Sequence, residues 1–234
     1  MPSASDVVFI YDTDALTQIL IAGQQNLLQL LRDDFGVDSF IMSEVEVELR
    51  SKPRLAGLIR PQLEKALKAG WLKILSAKHL DQLRPSDGGS SSISLADIRE
   101  LGAEYNLDVE TGEAYTHAAA ILLDVPSVSN DANAIRILEA RGRVLPPTIL
   151  RSFDLFGFFY LEQYLNERDV EDIRETLRSY NEWLPAPMKN ASFKDGLAEM
   201  RCRLSTSMAI AGSGKNWSYP FYLKRAQKPP VEGE

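Results

Sequence analysis

Short apolar runs alternate with longer helical patterns through the first two thirds of this chain, and this alternation restricts the fold more than any other feature. Residues 7–11 are short, uniformly apolar and rich in β-branched side chains, as expected of a strand in the centre of a parallel sheet. Further strands are predicted at 39–42, 71–75, 126–129 and 143–145. Strands that alternate with helices favour an α/β fold, here with a parallel sheet of about five strands.

The helical pattern is strongest where a start or stop signal accompanies the apolar spacing. Ser94 begins a predicted helix with Asp97 at the capping-box position, and Gly70 ends another. Helices are predicted at 15–21, 26–33, 45–50, 55–69, 94–106, 111–123, 132–141, 148–164, 170–180 and 194–208. The alternation stops after Pro147, so we expect a core domain over 6–147, a helical extension over 148–184 and a basic C-terminal segment over 185–234.

Composition limits the class of protein. Of 234 residues, 44% are hydrophobic and 25% are charged, which is typical of a packed globular chain. Cys202 is the single cysteine, so an internal disulfide and a cysteine-based zinc site are excluded. The first residues lack a basic stretch followed by an apolar run, and no run is long enough to span a bilayer. The expected location is the cytoplasm, without membrane contact.

Charge is distributed unevenly along the chain. The net charge is −7, yet the segment 187–230 carries eight basic and two acidic residues, a formal charge of +6, which leaves −13 for the rest. This asymmetry predicts a basic appendage on an acidic body. Aromatic residues are interleaved with the basic ones there, as in surfaces that bind nucleic acid. The candidate residues are Lys215, Trp217, Tyr219, Lys224 and Arg225. Packing of this tail over the body is the equal alternative.

Four acidic residues stand where an α/β fold presents side chains to one edge of the sheet. Asp12 and Asp131 each follow an apolar run, Glu113 lies in the first turn of a helix, and Glu48 lies near the start of another. Ligands bind at the carboxyl ends of strands in such sheets, and helix starts face the same edge. Four converging carboxylates repel one another and need a counter-charge, for which Mg²⁺ or Mn²⁺ is suited.

Short motifs around these acids resemble those of the PIN domain, a group of small metal-dependent ribonucleases that includes many bacterial toxin nucleases. The matching stretches are Asp12-Thr13-Asp14, Val45-Glu46-Val47-Glu48-Leu49, Gly112-Glu113-Ala114 and Asn130-Asp131 before an Ala/Arg-rich helix. The resemblance covers about residues 6–147 and implies a three-layer α/β/α sandwich. The loop over 84–94 with its following helix and everything after residue 147 depart from the family pattern.

The resemblance also implies a reaction and a division of roles. Asp12, Glu113 and Asp131 would hold one or two Mg²⁺ or Mn²⁺ ions for hydrolysis of RNA, and Glu48 would support a ligand or orient water. Thr13 and Arg136 would contact RNA. A toxin would have a neutralising antitoxin or other regulatory protein as partner, and a homodimer is a further partner to test for.

Other interpretations of the same residues remain open. Glu113 could simply favour the helix dipole, Glu48 could belong to a solvated acidic run with Glu44 and Glu46, and His117 could be a packed histidine. Asp12-Thr13-Asp14 after a strand also resembles the nucleophile pair of haloacid-dehalogenase-like phosphatases, although Leu16 stands where that family needs Thr or Val. A PIN-like scaffold that binds without cleaving is the non-enzymatic alternative.

Overall fold

The computed structural model describes residues 7–52, 55–83 and 93–199 of the chain. Within these ranges a single five-stranded sheet runs through the protein, with all strands parallel and in the order β3-β2-β1-β4-β5. Its strands are β1 (Val7–Tyr11), β2 (Val37–Ile41), β3 (Lys73–Ile74), β4 (Ser127–Val128) and β5 (Ile149–Leu150). Helices flank the sheet, and the fold is the expected three-layer α/β/α sandwich.

Helices connect every pair of consecutive strands, as parallel pairing requires. They are α1 (Thr13–Ile21), α2 (Asn26–Phe35), α3 (Ser43–Ser51), α4 (Ala56–Lys68), α5 (Ala77–Gln82), α6 (Leu95–Tyr105), α7 (Thr111–Leu123), α8 (Ala132–Ala140), α9 (Ser152–Leu161), α10 (Glu167–Ser179) and α11 (Ala186–Asn190). The predicted capping box of α6 is confirmed, since the Ser94 and Asp97 side chains each bind the other's backbone N–H. Helices α5 and α11 are short and were not predicted.

The central position of β1 determines where a site can form. Tyr11 pairs with Ile41 of β2 on one side and with Val128 of β4 on the other. The chain runs from β1 outwards through β2 and β3, then crosses to β4 and β5. The strand order therefore reverses between β1 and β4, and a crevice opens beyond their carboxyl ends at such a switch point.

The predicted fifth strand at 143–145 was wrong, because β5 is Ile149–Leu150. The segment is held instead by the end of α6 and the turn that follows it: Tyr105 Oη donates to the Val144 carbonyl at 2.8 Å, and Arg143 pairs with Asp108 at 3.1 Å. Val144 itself is 64% exposed. The helix predicted over 148–164 consequently begins only at Ser152.

The hydrophobic core includes the chain beyond residue 147. Phe153, Phe156 and Phe159 of α9 and Val170 and Ile173 of α10 belong to the same buried cluster as β1 and α1. The boundary expected at residue 147 thus precedes β5, one of the two edge strands of the sheet. The basic segment is described only to residue 199, with a helical stretch over 193–199.

Candidate active site at the carboxyl edge of the sheet

Asp12 stands at the centre of the carboxyl edge. Its backbone N–H donates to the Val128 carbonyl at 2.9 Å, which continues the pairing of β1 with β4. Its Oδ1 accepts a hydrogen bond from the Ala15 N–H at 2.7 Å and so caps α1. The residue is fully buried, and Oδ2 has no hydrogen-bond partner in the described part of the chain. A buried carboxylate oxygen without a partner is costly to keep unless something charged or polar binds it.

Burial changes the protonation of Asp12. The pKa of this carboxyl is raised from 3.8 to about 7, chiefly by desolvation and to a smaller extent by the nearby charge of Asp14. The Ser129 hydroxyl and the N–H groups of Ala15 and Asn130 lower the pKa in part, although Ser129 Oγ makes no well-aligned hydrogen bond. Without a counter-ion, Asp12 is therefore partly protonated at neutral pH.

Glu113 is brought to the same edge by α7. One turn along this helix, Thr116 Oγ1 donates to the Tyr11 carbonyl at 3.2 Å, which fixes the face of α7 that meets the end of β1. Residues three apart lie on one helix face, so Glu113 is directed to the neighbourhood of Asp12. Glu113 is only 8% exposed, and its Oε2 also has no hydrogen-bond partner among the described residues.

The pKa of Glu113 is raised by burial and, to a smaller extent, by the other acids at this edge. Burial raises this pKa from 4.5 to about 9, and the next largest causes are the charges of Asp131 and Asp12, followed by those of Asp14 and Glu110. Like charges have this effect only at short range. Asp12, Glu113 and Asp131, the three residues for which a metal-binding role was predicted, therefore lie at the same edge of the sheet.

Asp131 has a structural task in this conformation. Its Oδ1 accepts hydrogen bonds from the backbone N–H groups of Asn133 at 2.6 Å and Ala134 at 3.2 Å, which caps α8. The side chain is partly exposed at the mouth of the crevice. Capping uses Oδ1, so the second carboxylate oxygen can still serve the predicted metal-binding role.

Glu48 is placed differently from the other three acids. One oxygen accepts from the Gly112 N–H at 3.0 Å, and the other accepts a short hydrogen bond from Thr13 Oγ1. Its carboxylate therefore joins α3 to the first turns of α1 and α7.

Lys52 follows α3 in an extended conformation, as expected before Pro53. Its Nζ forms an ion pair with Asp14 at 2.8 Å.

The carboxylate oxygens of this site suit a hard divalent cation, although they are not close enough together to coordinate one. Asp12 Oδ2 and Glu113 Oε2 are buried oxygens without hydrogen-bond partners, and carboxylate oxygens are the ligands that Mg²⁺ and Mn²⁺ prefer. Within the described ranges, however, no group of three His, Cys, Asp or Glu side chains is close enough to hold an ion as it stands.

Two cavities meet along the carboxyl edge, and Asp14 contributes to both. We call them together the acidic groove. The larger has a volume of about 350 Å³ and is lined by Asp14, Gln18, Asn130, Asp131, Ala132, Asn133, Arg136, Glu182 and Trp183. The other has a volume of about 290 Å³ and is lined by Thr13, Asp14, Glu48, Ser51, Lys52, Glu110 and Glu113. Six acids and two basic residues line the groove, so its field attracts cations.

A buried polar network connects the groove to the extension. Ser152 Oγ lies 2.6 Å from Gln18 Oε1, to which it donates, and Asn130 binds both the hydroxyl and the N–H of Ser152 at 3.1 Å. Gln18 Nε2 then donates to the Trp183 carbonyl at 2.8 Å. The motif analysis did not identify Gln18, Ser152, Glu182 or Trp183, because they join the site only through tertiary contacts from α1, α9 and the chain after α10.

The remaining candidates have mixed placements. Thr13 and Arg136 line the acidic groove, one in each cavity. His117 is fully buried, and burial lowers its pKa to about 4, as expected of a packed histidine. The predicted RNA-binding residues of the basic tail fall outside the described residues, and these are Lys215, Trp217, Tyr219, Lys224 and Arg225.

Comparison with protein-family models, with curated proteins and with solved structures found no match for this chain. None of the helices in the described ranges combines the length and the apolar character that crossing a membrane requires. Any functional conclusion therefore depends on the residues of the acidic groove themselves.

Proposed function

We propose that this protein is a metal-dependent endoribonuclease that hydrolyses RNA phosphodiester bonds at the acidic groove. The observation that carries the proposal is the pair of buried carboxylates, Asp12 and Glu113, each with one oxygen without a hydrogen-bond partner at the switch point of a parallel sheet. Such an arrangement is unfavourable for an empty protein and favourable for one that binds a cation. The motif resemblance supplies the choice of RNA as substrate.

The residues that line the groove and the buried Asp12, next to Thr13 of the groove wall, would have separate roles. Asp12, Glu113 and Asp131 would hold Mg²⁺ or Mn²⁺, and the ion would supply Lewis-acid stabilisation of the phosphate and a more acidic bound water. Glu48 keeps the Gly112 N–H and Thr13 in place and so positions Glu113. Arg136 reaches the groove from α8 and can bind a phosphate of the RNA chain. Toxin activity with an antitoxin partner, or a homodimer, stays a prediction.

A non-catalytic binding module is the second candidate. It is favoured by the engagement of Glu48 and Asp131 in hydrogen bonds within the protein, which leaves fewer oxygens for an ion. A phosphatase with Asp12 as nucleophile is disfavoured, because Leu16 stands where that family needs Thr or Val.

The decisive experiment is cleavage of a mixed RNA pool by the full chain with Mn²⁺ or Mg²⁺, with EDTA as the metal-free control. Asp131→Asn is the best variant, because asparagine caps a helix as well as aspartate does and the fold should be kept. Asp97→Asn is the matched control, since Asp97 is an exposed helix-start acid that does not line the acidic groove.

We expect metal-dependent cutting that Asp131→Asn abolishes and Asp97→Asn leaves intact. Cutting that survives Asp131→Asn would come from another site or a contaminant and would contradict the proposal. A folded wild type that binds RNA without cutting it would support the binding module, and turnover of a small phosphomonoester would support the phosphatase.

A further inference from the structure

Trp183 is a partly exposed aromatic residue on the wall of the acidic groove. It lines the larger cavity together with Asp131, Asn133 and Arg136, and 38% of its surface is exposed. The buried ring of Phe153 lies beside the indole and gives it an apolar contact on one side. The other residues that line this cavity are mostly polar or charged.

The backbone around Trp183 is fixed rather than loosely attached. After α10 the chain reverses at Asn181, whose φ of 58° is left-handed, and the Glu182 N–H binds the Leu177 carbonyl at 2.9 Å. The Trp183 carbonyl accepts the hydrogen bond from Gln18, and Leu184 is buried in the core. Both sides of the residue are therefore anchored.

The indole ring is also oriented by its neighbours. Phe153 meets it edge to face, with centroids 6.2 Å apart and planes at 80°. The Arg151 guanidinium lies over the ring, 5.5 Å from its centroid. Because these contacts limit rotation of the ring, a ligand that stacks on its exposed part loses little side-chain freedom to Trp183.

We propose that Trp183 is a stacking platform for one unpaired base of single-stranded RNA, next to the phosphate that the acidic groove would cut. The inference rests on the proposed function and specifies its substrate class. Trp183 and Asp131 line one cavity, so a base on the ring belongs to a nucleotide close to the acids. A base offers its face to an aromatic ring only when it is unstacked, which a regular duplex does not permit.

The neighbours of Trp183 suit the other parts of a nucleotide. Arg136 is exposed, and its contacts within the protein, to Ala132 and Asn133, are long at 3.4 Å. Its guanidinium can therefore turn to a phosphate oxygen. Glu182 is an acidic residue of the same wall, and burial raises the pKa of its carboxyl.

The test compares binding and cleavage in the full chain. Binding of a fluorescently labelled single-stranded RNA is measured by anisotropy with Ca²⁺ in place of Mg²⁺ or Mn²⁺, for the wild type, Trp183→Leu and Trp183→Phe. Trp71→Leu is the matched control, because Trp71 is half-buried and does not line the acidic groove. Thermal unfolding of each variant shows whether the fold is kept.

We expect Trp183→Leu to weaken binding about 5- to 100-fold, the range typical of a lost base stack, and Trp183→Phe to weaken it less. In cleavage, Trp183→Leu should raise KM and leave kcat nearly unchanged, because the stack holds the substrate equally in the ground and transition states. The same RNA annealed to its complement should bind more weakly, and single-stranded DNA shows whether the sugar matters.

The outcomes separate the two proposals. If wild type cleaves RNA and Trp183→Leu binds and cleaves it with unchanged affinity and KM, the stacking platform is wrong and the ribonuclease stands. If wild type binds RNA in a Trp183-dependent way without cutting it, the platform stands and the ribonuclease is wrong. If the wild type prefers duplex RNA, or does not bind single-stranded RNA, the inference is overturned.

Discussion

The carboxylate of Glu48 accepts a hydrogen bond from the backbone N–H of Gly112 at 3.0 Å, across 64 residues of sequence. This contact satisfies one of the free N–H groups at the start of α7, where a negative charge also interacts favourably with the helix dipole. Glu113 is the next residue, so the contact determines where its carboxylate enters the acidic groove. Glu48 therefore positions the candidate site.

Gly112→Ala should disturb this contact directly. A Cβ at residue 112 would overlap Thr13 Oγ1 and lie 2.5 Å from Glu48 Oε2, closer than packed atoms allow. We expect a loss of about 1–3 kcal/mol in the free energy of unfolding, as is usual for overpacking, and weaker binding of Mn²⁺. Denaturant unfolding and calorimetric titration with Mn²⁺ measure both.

Gly57→Ala is the matched control, since it lies in α4 with no atom within 4 Å of the added Cβ. This substitution should leave stability unchanged or raise it by up to about 1 kcal/mol. Equal destabilisation by the two substitutions would show that the close packing at Gly112 is not the cause.

Glu48→Gln should lower cleavage without abolishing it. The glutamine carbonyl can still accept from Gly112, and Thr13 can reverse its hydroxyl to accept from the amide. We expect a decrease of about 10- to 100-fold, typical of a residue that orients a metal ligand. Kinetics over a range of Mn²⁺ concentrations test this. Complete loss of Mn²⁺ binding in Glu48→Gln would instead show that Glu48 is a ligand.

Asp12→Asn should separate catalysis from folding. Asparagine keeps the cap of α1, and its amide can donate to the neighbouring Ser129 hydroxyl, so the fold should persist. Cleavage should fall by more than about 100-fold, since even outer-shell changes cost about 10- to 100-fold. Stabilisation of the wild type by Mn²⁺ should disappear in the variant. An Asp12→Asn protein that Mn²⁺ stabilises as strongly as the wild type would exclude Asp12 as a ligand.

The stability of the metal-free protein should decrease as pH rises. Asp12 and Glu113 have pKa values raised by burial, from 3.8 to about 7 and from 4.5 to about 9, so the folded chain keeps protons that the unfolded chain has lost. The stabilisation that these two protonated carboxyls give the folded state is fully present below about pH 4. It is lost as the pH rises through about 7 for Asp12 and about 9 for Glu113. Unfolding in EDTA from pH 5 to 9 measures the slope.

Saturating Mn²⁺ should flatten or reverse this slope, because an ion binds the ionised carboxylates of the folded state. The double variant Asp12→Asn, Glu113→Gln should show neither the slope nor the effect of Mn²⁺. A wild-type slope that the double variant keeps would assign the pH dependence to other groups.

Local sequence signals predicted the elements well where they agreed with the packing. Residues 111–123 form the helix expected of them, and the Ser94–Asp97 capping box is formed, because caps and apolar periodicity act within one turn. The prediction failed at 143–145, because Tyr105 and Asp108, from a distant part of the chain, bind Val144 and Arg143. No local pattern reveals such a partner.

By itself, the sequence determined that Asp12 and Asp131 follow strands of a parallel sheet and that Glu113 begins a helix, because each of these placements depends on neighbouring residues. Only the tertiary structure decided that Glu48 accepts hydrogen bonds from Gly112 and Thr13. The same holds for the burial, without hydrogen-bond partners among the described residues, of one oxygen of Asp12 and one of Glu113, and for the position of Trp183 in the groove. Desolvation and long-range hydrogen bonds arise only when distant segments pack, so the chemistry of this site is a property of the fold.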